Sequence, residues 1–540
     1  METRTLQFVA EACGAEIANG HADAPVLNIC TDSRTAKAGD IFFAIKGENF
    51  DGHDFVVEVA KKKVAAVVVE KSKLANLGIA SGSLAPSDGE RVGERGFDLA
   101  NKVPPLPGPL LHPMEEREKA ARGGAPSKVM AGVALLAVDD VRVALGKLAA
   151  AYRQDFDLPV IAVGGSNGKT TTKELIAAVL RQKFLTLWSE ASFNNDIGVP
   201  ATLLRLAKTH RAAVVEVGTN HPGELAPLVK MIAPKFGVIT SIGREHLEFF
   251  GDVEGVALEE GALAELLPAD GKLFLNGDDA WSEKIAARTQ ADVVRVGTGE
   301  KNNWCAKKIR LDRSGVTFSV ERGTGSGTGV SPVQSKSVRG VSEGDSTGGT
   351  PVPLHGEYRV NLLGKHQVTN ALLALAIGAE LGLTRAEILR GLAECQPAKM
   401  RMNYWEANGV RVLDDCYNAN ADSTLAALET LCGLPLQGRR VAVLGDMAEL
   451  GVHSAAAHAE IGRRAAELKI GQLFAVGKMA PVMAQAARAA GLARVFEFAD
   501  VEGAVKAVKN FLKMGDVVLL KASRSTRLER IAETLKAGKN

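Results

Sequence analysis

The run Gly164-Gly-Ser-Asn-Gly-Lys-Thr-Thr171 follows a short apolar strand, Val160–Val163, and leads into a helical pattern, Glu174–Leu180. Glycines here let the backbone curl so that several N–H groups point at one anion, and the start of the helix adds partial positive charge. Lys169 can reach the outer phosphates of a nucleotide, and a hydroxyl of Thr170 or Thr171 can sit on Mg²⁺. Gly165, Ser166, Asn167, Gly168, Lys169, Thr170 and Thr171 are therefore expected to hold ATP. The common pattern G-x-x-x-x-G-K-[ST] would need Gly at 163, where Val163 stands. The loop is the shorter G-x-x-G-K-T from Gly165. A Gly-rich turn that binds nothing is the weaker reading, because strand, glycines, Lys-Thr and helix come in the order that phosphate binding requires.

Three further segments carry chemistry. Glu216 sits near the end of an apolar strand, Ala213–Val217, where a charge is expensive unless it is paired or metal-bound. At the carboxyl edge of a parallel sheet it would lie close to the phosphate loop, placed to hold Mg²⁺. His246, in Ser241-Ile-Gly-Arg-Glu-His246, could ligate a second metal or touch phosphate; alone, such a histidine is more often structural. Asn194 and Asn195, in Ser192–Pro200, suit a polar, peptide-like substrate. The alternative there is a helix cap by Asn195 or Asp196.

These residues need sheets to position them, and the chain is long enough for several. Its 540 residues suggest three or four domains, and 46% hydrophobic with 24% charged residues is ordinary for globular protein. A net charge of +2 and only 5% aromatic residues argue against a nucleic-acid partner. Six scattered cysteines without a C-x-x-C pair read as reduced, mostly buried thiols of a cytoplasmic protein. No apolar stretch is long enough to insert in a membrane.

The fold class read from the pattern is α/β. Strands are expected at Asp40–Ile45, Ala65–Val69 and Val133–Val138, with a helix Val141–Arg153. From Leu158 strands at Val160–Val163, Ala213–Val217, Phe236–Thr240 and Lys272–Asn276 alternate with helices, which predicts a doubly wound, mainly parallel sheet. A hairpin, Gly315–Val320 with Tyr358–Leu363, and a helix Gln367–Leu381 follow. A further α/β segment has strands Arg411–Asp414, Arg440–Leu444, Gln472–Val476 and Asp516–Leu520. Residues from about 73 to 130 and from about 322 to 353 read as low-complexity insertions.

Taken together, the loop, Glu216, Phe193-Asn-Asn-Asp-Ile-Gly-Val-Pro200 and His246-Leu-Glu248 resemble the Mur ligase family, ATP-dependent amide-bond ligases of peptidoglycan precursor synthesis. Thr31-Asp-Ser-Arg34, Gly39–Ala44 and Asp51–Phe55 resemble the family's uridine-nucleotide domain. Asp414–Asn420 and Leu444–Gly451 with His458 resemble the member that adds D-alanyl-D-alanine. The resemblance implies three α/β domains: 1–154 for the uridine nucleotide, 155–398 for ATP and 399–540 as the C-terminal ligase domain. It implies ATP and Mg²⁺, with UDP-N-acetylmuramoyl-tripeptide and D-Ala-D-Ala as substrates, in a monomer.

The resemblance also implies residue roles. Lys169 and Thr170 would serve phosphates and metal, with Glu216 and His246 on the metal side. Asn370, in Gly364–Asn370, matches an adenine contact, and Arg401 an arginine that reaches ATP. Asp415 matches a ribose contact, with adjacent Asp414 the alternative. Asn418 and Asn420 would face the dipeptide, and Ser33 and Arg34 the uridine diphosphate. A folate polyglutamate ligase would lack the uridine-nucleotide domain. The tripeptide-forming ligase would carry an Asp-Asn-Pro-Arg element that is absent here.

Two positions depart from the family pattern. Gly164 stands where the family has Thr, which is expected to loosen the turn. Glu260 stands where the family has a lysine that CO₂ converts to a carbamate. Glu260 is expected to supply the anionic oxygen itself; the alternative is a solvent-facing helix acid.

Overall fold

The computed structural model describes residues 1–47, 50–77, 132–323, 354–435 and 437–538. The two expected insertions fall mostly outside the described residues; within the first, Lys71–Leu77 is still a short 3-10 helix. The described residues form two compact units. One holds Met1–Asp157 with Pro200–Lys208, the other Leu158–Val199 with Thr209–Asn540.

The first unit is built on a five-stranded sheet ordered Glu16–Asn19, Ala134–Val138, Ala66–Glu70, Asp40–Phe43, Asn28–Cys30. All its pairs are parallel except the first. Asp140 caps the helix Val141–Arg153 by accepting from the N–H groups of Arg142 and Val143.

The second unit holds two sheets. The larger runs Gly356–Val360, Val316–Arg322, Trp304–Leu311, Asp292–Gly297, Lys272–Asn276, Phe236–Ile239, Val160–Gly164, Ala212–Glu216, Thr186–Trp188. It is parallel from Thr186–Trp188 through Trp304–Leu311 and ends in the expected antiparallel hairpin. Val160–Gly164 and Ala212–Glu216 are buried throughout, as parallel strands covered on both faces must be. The chain leaves Val160–Gly164 toward one side of the sheet and later returns on its other side. That reversal opens a crevice at the strand's carboxyl end, and the phosphate loop, Glu216 and the Ser241–His246 segment all sit there.

Asp292–Gly297 and Trp304–Leu311 are strands the sequence pattern did not suggest. In the second, the register shifts between Lys307 and Arg310, and Lys308 has φ +52°. This bulge breaks the alternation that marks a strand. The second sheet runs Asn403–Ala407, Val410–Asp415, Val517–Lys521, Arg440–Gly445, Gln472–Val476, Val495–Phe498, parallel after its first pair.

The helix after the loop starts at Lys169, not Glu174, and runs to Leu180. It packs against Gln367–Glu380, a helix buried on nearly all sides, and against Arg385–Glu394. Gly391 of the latter makes the approach possible: a Cβ there would lie 2.5 Å from Val179 Cα. Among the described residues no helix is long and apolar enough to cross a membrane. All six cysteines are free; five are buried and Cys432 is half-buried.

Candidate active site

The phosphate loop is held by its own protein along its first half. The N–H of Gly165 donates to Glu260 Oε2 at 2.6 Å, Ser166 N to Ser241 O at 2.7 Å and Asn167 N to Ser241 Oγ at 3.2 Å. These three amides thus have acceptors within the protein itself. The N–H groups at the start of the helix, Lys169, Thr170 and Thr171, have no intrahelical acceptor, the arrangement that suits an anion. Gly165 (φ +108°) and Gly168 (φ +89°) adopt backbone that glycine favours. A Cβ on Gly168 would also come within 2.8 Å of Asn370 Oδ1.

Lys169 Nζ folds onto the loop carbonyls of Gly165 and Ser166, at 2.5 and 3.3 Å, and lies 3.3 Å from Glu245 Oε2. Burial alone would lower its pKa. The carboxylates of Glu245, Glu260 and Glu216 outweigh burial and hold it above the ordinary lysine value. The site is thus a cation among three acids, arranged so that more positive charge is welcome.

On one side of the loop, Thr170 Oγ1 donates to Glu216 Oε1 at 3.1 Å, and Asn194 Nδ2 donates to the same oxygen at 2.9 Å. The hydroxyls of Thr170 and Ser192 are 3.1 Å apart. Arg401 reaches in from the second sheet's side, with Nη2 3.5 Å from Ser192 Oγ and its guanidinium 4.3 Å above the Tyr417 ring. Beneath them Lys173, fully buried, donates to Ser189 O at 2.8 Å and Ala191 O at 2.6 Å, and lies 3.8 Å from Glu216 Oε2. Sequence reasoning passed over Lys173, since a lysine beside a glutamate on a helix ordinarily marks a solvated face.

On the other side Glu260 is 1% exposed, so the solvent-facing alternative is excluded. Burial pushes its pKa up to about 7 against the pull of Lys169, with Glu245 raising it further. Next to it, Glu259 accepts from Gly223 N and Leu225 N at 2.8 Å each and caps the helix Leu225–Ile232. Gly164 is the buried last residue of its strand and its φ is not positive. It therefore does not loosen the turn; it leaves space.

His246 Nδ1 is 2.5 Å from Glu449 Oε2, and its Nε2 is 3.9 Å from Glu245 Oε2. Burial would lower the imidazole pKa, but the Glu449 hydrogen bond and the Glu245 charge raise it above the ordinary value. Glu449 lies on the Leu444–Gly451 segment, and His458 fixes that segment. His458 Nε2 accepts from Met447 N at 2.9 Å, and Nδ1 is 2.7 Å from Ser454 O. Arg244 pairs with Asp422 and Glu460, at 2.6 and 2.5 Å.

The remaining expected contacts divide. Asn370 lies over the loop at Gly168, held by Nδ2 donating to Gln367 Oε1 at 2.9 Å. Gln367 Nε2 in turn is 2.9 Å from His366 Nε2, whose pKa burial lowers to about 4, so the ring is neutral and can accept. Asp414 is buried, while Asp415 pairs with Lys521 Nζ at 2.6 Å and raises the pKa of nearby His366. Of the two aspartates, Asp415 thus faces the loop side.

Asn195 and Asn420 both make contacts within the protein. Asn195 Oδ1 accepts from Gly198 N at 2.9 Å, so the helix-cap alternative holds. Asn420 Oδ1 caps Ala421–Gly433, and its Nδ2 donates to Asn167 Oδ1 at 2.9 Å. Its amide joins the second sheet's loop to the phosphate loop. Asn418 is exposed, with its Oδ1 on Ala419 N. In the first unit Arg34 is exposed and closes on Asp32, and the Ser33 carbonyl accepts from Lys62.

The donor set suits Mg²⁺. Glu216 Oε2 and Glu260 Oε1 are buried carboxylate oxygens without a hydrogen-bond partner among the described residues, and hard oxygen ligands are what that ion takes. Among the described residues no three His, Cys, Asp or Glu side chains form a complete cage.

Known proteins agree with this architecture. The profile described as Mur ligase middle domain matches residues 163–378. Those described as Mur ligase, glutamate ligase domain and as Mur ligase family, catalytic domain match 400–524 and 25–102. The chain is 31% identical over 531 residues to UDP-N-acetylmuramoyl-tripeptide–D-alanyl-D-alanine ligase of Escherichia coli (strain K12), covering 96% of each chain. It is 32% identical over 525 residues to the protein of that name from Mycobacterium leprae, covering 93% of this chain and 92% of that one. The crystal structure of MurF from Acinetobacter baumannii superposes with TM-score 0.77 at 27% identity, covering 99% of both chains. With loop, carboxylates and sheets all accounted for along its length, the chain belongs to the Mur ligase family.

Proposed function

We propose that the chain is an ATP-dependent ligase that joins D-alanyl-D-alanine to UDP-N-acetylmuramoyl-tripeptide through an acyl phosphate, releasing ADP and phosphate. The observation that carries this reading is the constellation around the loop: Lys169 between Glu216 and Glu260, with Arg401 reaching Ser192. A carboxylate is a poor electrophile, and transfer of a phosphoryl group onto it creates a good leaving group. The amine of the dipeptide then attacks the carbonyl carbon and loses a proton, and phosphate departs with the C–O bond electrons.

Bringing an anionic tripeptide carboxylate to ATP requires positive charge in a fixed place. Lys169, Arg401 and the helix N–H groups supply it. Bound Mg²⁺, held by Thr170, Glu216 and Glu260 with His246 nearby, would neutralise phosphate charge. Glu216 Oε2 and Glu260 Oε1 are the oxygens free for that task. Asn370 and Asp415 are read as nucleoside contacts, Asn194 and Asn418 as substrate contacts, and Ser33 and Arg34 as contacts of the uridine diphosphate. The enzyme is read as a monomer of the cytoplasm.

The test is phosphate release from ATP with the UDP-muramoyl-tripeptide, with and without D-Ala-D-Ala. Release that depends on both, with pentapeptide formed, is expected. Release without the dipeptide contradicts the ligase reading.

A further inference from the structure

Gly164 and Glu260, far apart in sequence, meet in space. We propose that Gly164 and Glu260 are a matched pair: Glu260 is a positioning residue that clamps the first amide of the phosphate loop, in room that only glycine at 164 leaves. The inference rests on reading that loop as the nucleotide site.

Gly164 is not needed for its backbone. It ends the strand Val160–Gly164 and its φ is not positive, so any residue could adopt that conformation. What glycine supplies is clearance. A Cβ at 164 would sit 2.9 Å from Glu260 Oε2, while its next neighbours, Leu263 Cδ2 and Val217 Cγ2, would lie at 3.4 Å. The carboxylate is thus the closest obstacle. It cannot swing aside freely, because Oε2 accepts from Gly165 N at 2.6 Å and the side chain is buried.

The surroundings keep Glu260 in place. It is the last residue of the helix Val253–Glu260, an end where a negative charge is unfavourable. Arg288 offsets this by donating to the carbonyls of Ala257 and Leu258 at 3.0 and 2.8 Å. The guanidinium occupies the space beside Gly261, which a Cβ there would fill. The charge-assisted bond from Gly165 therefore ties the turn of the loop to a neutralised helix end. A side chain at 164 would push Oε2 off that amide and leave a buried N–H unsatisfied.

The experiment is a double-mutant cycle with Gly164→Ala, Glu260→Ala and the double variant. ADP affinity is measured calorimetrically in EDTA, and melting temperature is measured without nucleotide. Each single variant is expected to weaken ADP binding about tenfold, the worth of one charge-assisted hydrogen bond. The double variant is expected to be no weaker than Glu260→Ala, because the added Cβ then meets no carboxylate. Glu260→Gln keeps an acceptor of the same shape and is expected to bind ADP within about threefold of the unchanged protein. Equal effects of Gly164→Ala with and without Glu260, in affinity and in melting temperature, overturn the pairing. Absence of ADP binding by the unchanged protein would overturn the nucleotide reading instead, and the melting temperatures would still decide the pair.

Discussion

Lys173→Met is the substitution whose consequence follows most directly from the geometry. Methionine nearly matches the lysine stem in length, so packing changes little and the loss is that of the ammonium. That group is fully buried, donates to two carbonyls and lies 2.7 Å from Glu174 Oε1 and 3.8 Å from Glu216 Oε2. Each charge-assisted bond to Ser189 or Ala191 is worth about 1.5–3 kcal/mol. Removing one partner of a buried pair costs about 3–5 kcal/mol, here because Glu216, 1% exposed, is left uncompensated. Glu174 is 26% exposed and adds little. One ammonium serves all these groups, so the terms overlap and the expected loss is about 3–5 kcal/mol. Urea unfolding of the nucleotide-free protein, followed by circular dichroism, measures it. In Lys173→Met/Glu216→Gln the buried charge is gone as well, and more than half of the loss is expected to return. A single variant within about 1 kcal/mol of the unchanged protein, or a double variant that loses the sum of the two singles, would refute the argument.

Other consequences are as specific. Ligase turnover is expected to be unchanged in bicarbonate-free buffer and abolished in Glu260→Ala; a bicarbonate requirement, or full activity of that variant, contradicts the role given to Glu260. Burial raises the Glu260 pKa from 4.5 to about 7, so the folded state binds the extra proton between those values. The nucleotide-free protein should therefore lose stability as pH rises across that window, by on the order of 3 kcal/mol. Glu260→Gln should flatten the dependence in melting curves from pH 4.5 to 8, and parallel curves would speak against it. Gly391→Ala places a Cβ 2.5 Å from Val179 Cα and 2.8 Å from Ala178 O. Backbone cannot yield as a side chain can, so a loss of about 1–3 kcal/mol is expected in the same unfolding assay.

Much of this site was legible because its parts are local. Strand, glycines, lysine and helix follow one another without interruption, and their order alone implies an anion cradle. Glu216 stood out as a charge within an apolar run, and it is buried beside Thr170. The parallel strands were readable as apolar runs because both faces are covered. Where the run is broken by a bulge, as at Lys308 in Trp304–Leu311, the strand went unseen.

What the linear sequence determined, then, was the family and the strand, glycine loop and helix that carry Lys169, since each rests on residue type and short spacing. Partnership between distant side chains was decided by the tertiary structure. Lys173 drew no reading from the sequence; its burial and its bond to Ser189 O appear only in the fold. That the side-chain oxygens of Asn195 and Asn420 accept from helix-start N–H groups is likewise seen only in the fold. Asp414 and Asp415 were separated only by which face of a strand each occupies. Gly164 read as added flexibility, whereas the fold uses it as empty space for a carboxylate 96 residues further on. The physical reason is the same in each case: burial, hydrogen bonding and steric clearance depend on what lies opposite a residue, and only folding brings that neighbour there.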